Sequence, residues 1–356
     1  VELANKAVES GDEVTIIAGW PVDPEYLQNK INPKVNVKFI SRSKKYAYLQ
    51  IIPWILKNRK WLIGNDVIHC HLTYGAVFGS LAYIIFRKIA GKKTPIIIET
   101  NHAVGMPVPK FNRWIHSRMM LLRDGLVFMA IDQYWNNFIK KHTSHKTEII
   151  PNGISIQKPE RTEELKKKLF TEMGIGAECS YLVGTVSMLR PDRKPELYIP
   201  VFRDINSALE NKVHFILAGD GIEYERIKTL IKNQGLSQFI HLPGLINNPT
   251  ALMANLDLYV SLSAGETGGI SMIEAAMCNV PVVGIQLIEN YKAKKDDWVW
   301  SHTDLKEVAG KIIFLLQNVQ ERNKLAEDQH KYVNSKFTSD AMYTAYYNFY
   351  KKILNR

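Results

Sequence analysis

Two glutamates, Glu266 and Glu274, stand with seven residues between them inside the stretch from Asp257 to Ile285, DLYVSLSAGETGGISMIEAAMCNVPVVGI. Glu266 falls in a loop with glycines at 265, 268 and 269, and Glu274 in the second turn of the helix that follows. A helix start offers free N–H groups and the positive end of a dipole, so this loop suits a phosphate, with both carboxylates facing one crevice. The plainer alternative is an ordinary strand, helix and strand with two solvated glutamates. Arg190, Arg193 and Lys194 put three cations in the short run LRPDRK, which is either a grip for phosphate or a solvated basic turn. His102 follows directly on an apolar run, where active-site loops sit, although a lone histidine is more often structural than catalytic. His69 and His71 flank a similar strand end.

Such groups act only where buried strands and helices hold them. Leu256 to Ser263 alternates as a buried strand, and Ile270, Ile273, Ala276 and Met277 recur at helical spacing. Asn279 and Pro281 stop that helix, and Val282 to Ile285 forms the next strand. Ahead of the basic run lies the apolar stretch Tyr181 to Met188, and further strands fall at Val213 to Gly221 and Phe239 to Gly244. In the first half a helix over residues 2–10 precedes strands at Glu13 to Ala18, Asp66 to His71, Pro95 to Glu99 and Gly125 to Ile131. Helices close the chain at Leu305 to Gln317, Val319 to Tyr332 and Phe337 to Leu354. Alternating strands and helices predict an α/β fold with parallel sheets, which bind ligands outside the carboxyl ends of their strands.

The 356 residues suit two such domains rather than one core, and 46% hydrophobic with 23% charged residues marks a folded chain. Cys70, Cys179 and Cys278 are too scattered for a disulfide framework or a zinc cluster, which favours a reducing compartment. Leu72 to Phe86 is shorter than the ~20 residues of a membrane span and predicts a buried helix; no opening resembles a secretory signal. The net charge of +11 is one-sided: Lys and Arg number 26 against 15 acidic residues over 1–175, and 20 against 20 over 176–356. An anionic surface is therefore expected to face the first half: membrane lipid, a polyanionic acceptor or nucleic acid. Residues 44–63, KKYAYLQIIPWILKNRKWLI, mix cations with aromatic and aliphatic groups. They form either a membrane-interface segment or an amphipathic helix packed on the sheet and broken near Pro53. Met106 to Arg123, also basic and aromatic, is a second candidate for acceptor or membrane contact.

The central stretch resembles the E-x7-E segment of retaining, nucleotide-sugar-dependent glycosyltransferases of the group 1 family. In this chain it runs Ser263, ETGGI from Glu266, Glu274-Ala275-Ala276 and Pro281-Val282-Val283. Gly268 stands where that family usually has an aromatic residue and Asn279 where it has glycine. Ile150-Pro151-Asn152-Gly153-Ile154 and Ala218-Gly219-Asp220-Gly221 resemble further segments of the family, in the expected order. Its usual arginine falls here on Met188 and its usual lysine on Arg193, and its segments beyond Ile285 have no clear counterpart.

The resemblance implies a GT-B fold, two Rossmann-like domains facing across a cleft, with residues 1–155 on the acceptor side and 156–335 binding the donor. Residues 336–356 would form a helix crossing back to the first domain. Since the family opens with a strand and glycine turn before a helix like this chain's first, that element is expected to be missing, leaving the first sheet without a central strand. Glu266 would contact the transferred sugar and Glu274 the ribose, while Arg190, Arg193 and Lys194 hold the diphosphate. Gly219 and Gly221 would let backbone approach the nucleotide, Thr267, Gly268, Gly269 and Ile270 would offer N–H groups, and His102 would act beside the reacting sugar. No cofactor and no metal are expected, the nucleoside diphosphate sugar, UDP or GDP type, being a substrate. The acceptor would be a glycan or lipid-linked molecule of cell-surface polysaccharide or glycolipid synthesis. A cytoplasmic place is implied, peripheral on the inner face of the plasma membrane, with no nucleic acid partner. Competing readings are a UDP-sugar 2-epimerase of the same fold and a non-catalytic basic protein binding nucleic acid or membrane.

Overall fold

The computed structural model describes residues 1–21, 25, 29–91, 95–102, 109–129, 133–156, 162–176, 179–264, 269–286 and 298–355. The chain divides into two compact units, Val1–Gly153 with Thr338–Arg356, and Ile154–Phe337.

In the first unit β1 (Thr15–Ala18) pairs in parallel with β2 (Asn36–Phe39). A separate parallel sheet of the described residues runs β3 (Val67–His71), β4 (Ile96–Asn101), β5 (Gly125–Phe128) and β6 (Thr147–Ile149), in chain order. Strand β4 is buried at every position, which is why it appears in the sequence as the unbroken run PIIIE rather than an alternation. Helix Leu72–Tyr83 connects β3 to β4 and ends in a π turn, Ile84–Ile89. The closing helix Ser339–Leu354 lays Met342, Tyr346, Phe349 and Ile353 against Ile96, Ile98 and Val127. Their spacing of four, three and four is that of one helical face.

Pro53 does not break the segment 44–63. Helix Ile51–Lys57 carries it in the first turn, where a missing N–H costs no helical bond. The interruption falls at Asn58, before a second short helix, Arg59–Ile63. Ile51 and Ile55 are wholly buried, so one face of this segment is packed as a core helix.

The second unit has a six-stranded parallel sheet in the order β12-β11-β10-β7-β8-β9. Its strands are β7 (Tyr181–Val186), β8 (Val213–Ala218), β9 (Ile240–His241), β10 (Leu258–Ala264), β11 (Val282–Gln286) and β12 (Trp300–His302). From β7 the chain builds outward through β8 to β9, then returns to the other side of β7 with β10 and continues to β12. The order reverses between β7 and β10, and ligands in sheets of this topology bind at the carboxyl ends beside that reversal. Asn279 has φ of 57°, the left-handed turn expected after helix Ile270–Met277.

Candidate functional site

The carboxyl ends of β7, β8 and β9 are stitched together by backbone. Ser187 N–H donates to Ala218 O at 3.0 Å, Leu189 N–H to Asp220 O at 2.9 Å, and Gly219 N–H to Gly244 O at 2.8 Å. Gly219 and Gly221, with φ of 134° and 153°, make this stitching possible: a Cβ would stand 1.9 Å from Ser187 O at the first and 2.3 Å from Leu189 O at the second. Their glycine character therefore serves the contact between two loops, a use the sequence did not reveal.

Out of this seam projects the basic loop. Two tight turns, Pro191–Arg193 and Pro195–Leu197, meet at Lys194, whose φ of 47° is left-handed although it is not glycine. Arg190 grips Asp192 with both arms, Nε to Oδ1 at 3.0 Å and Nη2 to Oδ2 at 2.7 Å. That guanidinium holds the Asp192 carboxyl below the usual carboxylate range, and Arg193 Nε lies 3.7 Å from the same carboxylate. Lys194 is exposed and makes no ion pair among the described residues.

A buried hydroxyl network braces the loop from below. Tyr198, on the helix that follows the loop, receives Leu262 N–H of β10 at 3.0 Å and lies 3.3 Å from Thr185 Oγ1 of β7. Tyr259 receives Val186 N–H at 3.2 Å and donates to Val186 O at 3.0 Å. Burial pushes both phenols up, Tyr198 to about 12, with Ser271 and Thr185 easing the shift at Tyr259. Tyr259 thus connects β7 to helix Ile270–Met277, where Glu274 is half-buried on the second turn. Gly269 caps this helix in extended conformation and its carbonyl accepts Met272 N–H at 3.0 Å, so the N–H groups that precede the helical ladder are those of Ile270 and Ser271. So in the second unit Arg190, Arg193 and Lys194 follow the carboxyl end of β7, Gly219 and Gly221 that of β8, and Gly269 and Ile270 open the helix after β10, with Glu274 on its second turn. Glu266, Thr267 and Gly268 lie outside the described residues.

His102 belongs to the first unit, one residue past β4. His71 Nδ1 and His102 Nε2 are 2.9 Å apart, so one ring donates to the other. His69 sits between Tyr350 OH at 2.7 Å on Nδ1 and Thr100 Oγ1 at 2.7 Å on Nε2. Burial, then neighbouring positive charge, holds all three imidazoles below their ordinary value. Desolvation, and then His102, bring His71 down to about 3. Beneath them Glu99 of β4 is buried against Arg123 at 2.7 Å and His116 at 2.6 Å, fixing the strand from which His102 emerges. Tyr346 and Tyr350 of the closing helix were missed in the sequence; their spacing of four was the available signal.

Among the described residues no group of three or more His, Cys, Asp or Glu could hold a metal ion. A hollow of about 470 Å³ lined by Glu210, Lys212, His214 and Phe239 lies at the amino-terminal ends of β8 and β9, away from the strand ends just described.

Residues 1–158 match the family Glycosyltransferase Family 4 and residues 176–332 match Glycosyl transferases group 1. Similarity extends to the O-antigen biosynthesis glycosyltransferase WclY of Escherichia coli, 26% identical over 147 residues, a stretch that takes in 40% of this chain and 40% of that protein. The N-acetyl-alpha-D-glucosaminyl L-malate synthase of Bacillus anthracis is 23% identical over 372 residues, covering 99% of this chain and 92% of that protein. Among solved structures, Anabaena Alr3699/HepE in complex with UDP superposes with a TM-score of 0.75 at 19% identity, covering 98% of this chain and 94% of that one. The fold is therefore the α/β, parallel-sheet arrangement of GT-B glycosyltransferase structures.

Proposed function

We propose that this chain, which carries a Glycosyltransferase Family 4 domain followed by a Glycosyl transferases group 1 domain, is a retaining glycosyltransferase. It moves a sugar from a nucleoside diphosphate sugar to a glycan or lipid-linked acceptor in cell-surface polysaccharide or glycolipid synthesis. The observation that carries this reading is the reversal of strand order between β7 and β10, with the basic loop, the Gly219-Asp220-Gly221 turn and the start of helix Ile270–Met277 all at the carboxyl ends beside it. UDP in the Anabaena structure supports a UDP-type donor.

In this reading the diphosphate meets Arg190, Arg193, Lys194 and the N–H groups of residues 267–270, which neutralise charge as it leaves. Glu274 accepts hydrogen bonds from ribose hydroxyls and Glu266 from those of the transferred sugar. His102 stands beside the reacting sugar as a neutral imidazole, able to accept or donate through its free edge. With cations and helix N–H groups supplying the charge neutralisation, no metal is needed. The acceptor enters on the side of the basic first domain, held peripherally at the cytoplasmic face of a membrane.

A thermal-shift screen of nucleoside diphosphate sugars tests the donor, because a bound ligand raises the melting point by mass action. One UDP or GDP sugar should stabilise the chain, and a flat response to every one would refute the reading. Product formation that requires an acceptor and survives chelation separates transfer from epimerisation and from metal dependence. Glu274→Ala should raise KM for the donor about tenfold or more.

A further inference from the structure

The segment 42–65 contains Arg42, Lys44, Lys45, Lys57, Arg59 and Lys60 and no acidic residue. Its helix Ile51–Lys57 has two apolar faces. Ile51 and Ile55 turn inward to the cluster of Ile68, Phe78 and Phe86. Leu49, Ile52 and Leu56, three and four residues apart, face solvent at 77%, 46% and 45% exposure, with Tyr46 and Tyr48 about half exposed. Lys44 lies 5.7 Å from the Trp20 ring and Lys45 5.4 Å from that of Tyr46, and none of the six cations pairs with a carboxylate among the described residues. A core helix needs one apolar face; the second, rimmed by cations, is unexplained by folding.

Charge selects the occupant. A second copy in a symmetric contact would set six cations against six. Nucleic acid would use the cations but gives no reason for an aliphatic stripe. A bilayer with anionic headgroups uses both, because aliphatic side chains enter the acyl boundary, phenols sit at headgroup depth and each lysine or arginine gains from the surface potential. We propose that this face docks the first unit on an anionic lipid bilayer through Leu49, Ile52 and Leu56, with Lys44, Lys45 and Lys57 on the headgroups. The proposal specifies the membrane side of the function given above, and its test uses neither donor nor acceptor, so failure of docking and failure of transfer are separate results.

The full chain is sedimented with vesicles of phosphatidylcholine alone or with about one third phosphatidylglycerol. It should sediment with the second and stay in solution with the first. Leu49→Ser/Ile52→Ser/Leu56→Ser should lower the bound fraction about tenfold with an unchanged melting point, and Lys44→Gln/Lys45→Gln/Lys57→Gln should flatten the dependence on salt. If the triple serine variant does not fold, Leu49→Glu at the most open position must still weaken binding severalfold. A wild-type chain that remains in the supernatant with anionic vesicles, or serine and glutamate variants that bind as it does, overturns the proposal. So do dimers in light scattering that vanish in the serine variant, which would assign the face to a second copy.

Discussion

Asp192 takes both arms of the Arg190 guanidinium, so the basic loop presents less positive charge than its three cations alone would give. The pair is exposed, and such pairs contribute little to stability. Its effect belongs to binding: Asp192→Asn should tighten UDP about two- to fivefold in calorimetric titration, by freeing Arg190 for phosphate. Weaker binding would mean that Asp192 aims the arginine instead. The cations were legible in the sequence as a cluster, but the partner two residues from Arg190 was not, because spacing does not tell whether an acid shields a cation or points elsewhere. Gly219 and Gly221 were likewise legible as a motif, but their contact with the neighbouring loop was not, since close approach to a neighbouring loop leaves the same mark as close approach to a ligand. Gly219→Ala should cost about 2 kcal/mol or more in urea unfolding, its methyl group having no room against Ser187 O.

The strands were the most legible elements, because fully buried parallel strands are continuous apolar runs; β3, β4, β5, β7, β8, β10 and β11 all follow such runs. The edge strands β2 and β12 were not foreseen, with only four and three residues and half-exposed faces. The π turns after Leu72–Tyr83 and Gln133–Phe138 have no signature in apolar spacing. Among helices, Ser339–Leu354 carries more than packing, for Tyr346 reaches Thr100 at 2.9 Å and Tyr350 reaches His69 at 2.7 Å. Tyr350→Phe should remove about 1 kcal/mol of stability, and Tyr346→Phe/Tyr350→Phe should depart from the sum of the single changes, because both hydroxyls feed one network through Thr100 and His69. Strict additivity in thermal unfolding would show the two tyrosines to be independent.

At the scale of the whole molecule, pH acts through imidazoles in both units. His69, His71 and His102 are held below their ordinary value, and burial brings His241 down to about 4. A histidine depressed in the folded state binds fewer protons there than in the unfolded chain, so it contributes stability above about pH 6.5 that is lost as pH falls toward its folded value. For His69, held well below the ordinary value, that loss runs through the interval from about pH 6.5 to 5. The melting point should fall over that interval, and His69→Gln should make the fall shallower; an equally steep fall in the variant would place the proton uptake elsewhere.

The two units also differ in how their residues are distributed along the chain. The second is one unbroken segment, Ile154–Phe337, whereas the first draws on Val1–Gly153 and Thr338–Arg356. Side by side at the exchange point, Ile154 N–H donates to Phe337 O at 2.9 Å, and a Cβ on Gly153 would stand 2.2 Å from Thr338 O. During synthesis on the ribosome the later-made unit can therefore finish folding first, while the earlier-made one waits with Ile96, Ile98 and Val127 uncovered until Tyr346 and Phe349 emerge. Nascent chains arrested just past Phe337 should yield a protease-resistant core from the second unit and rapid cleavage of the first, a vulnerability to chaperones and proteases that the order of the genetic message imposes rather than the stability of the finished fold.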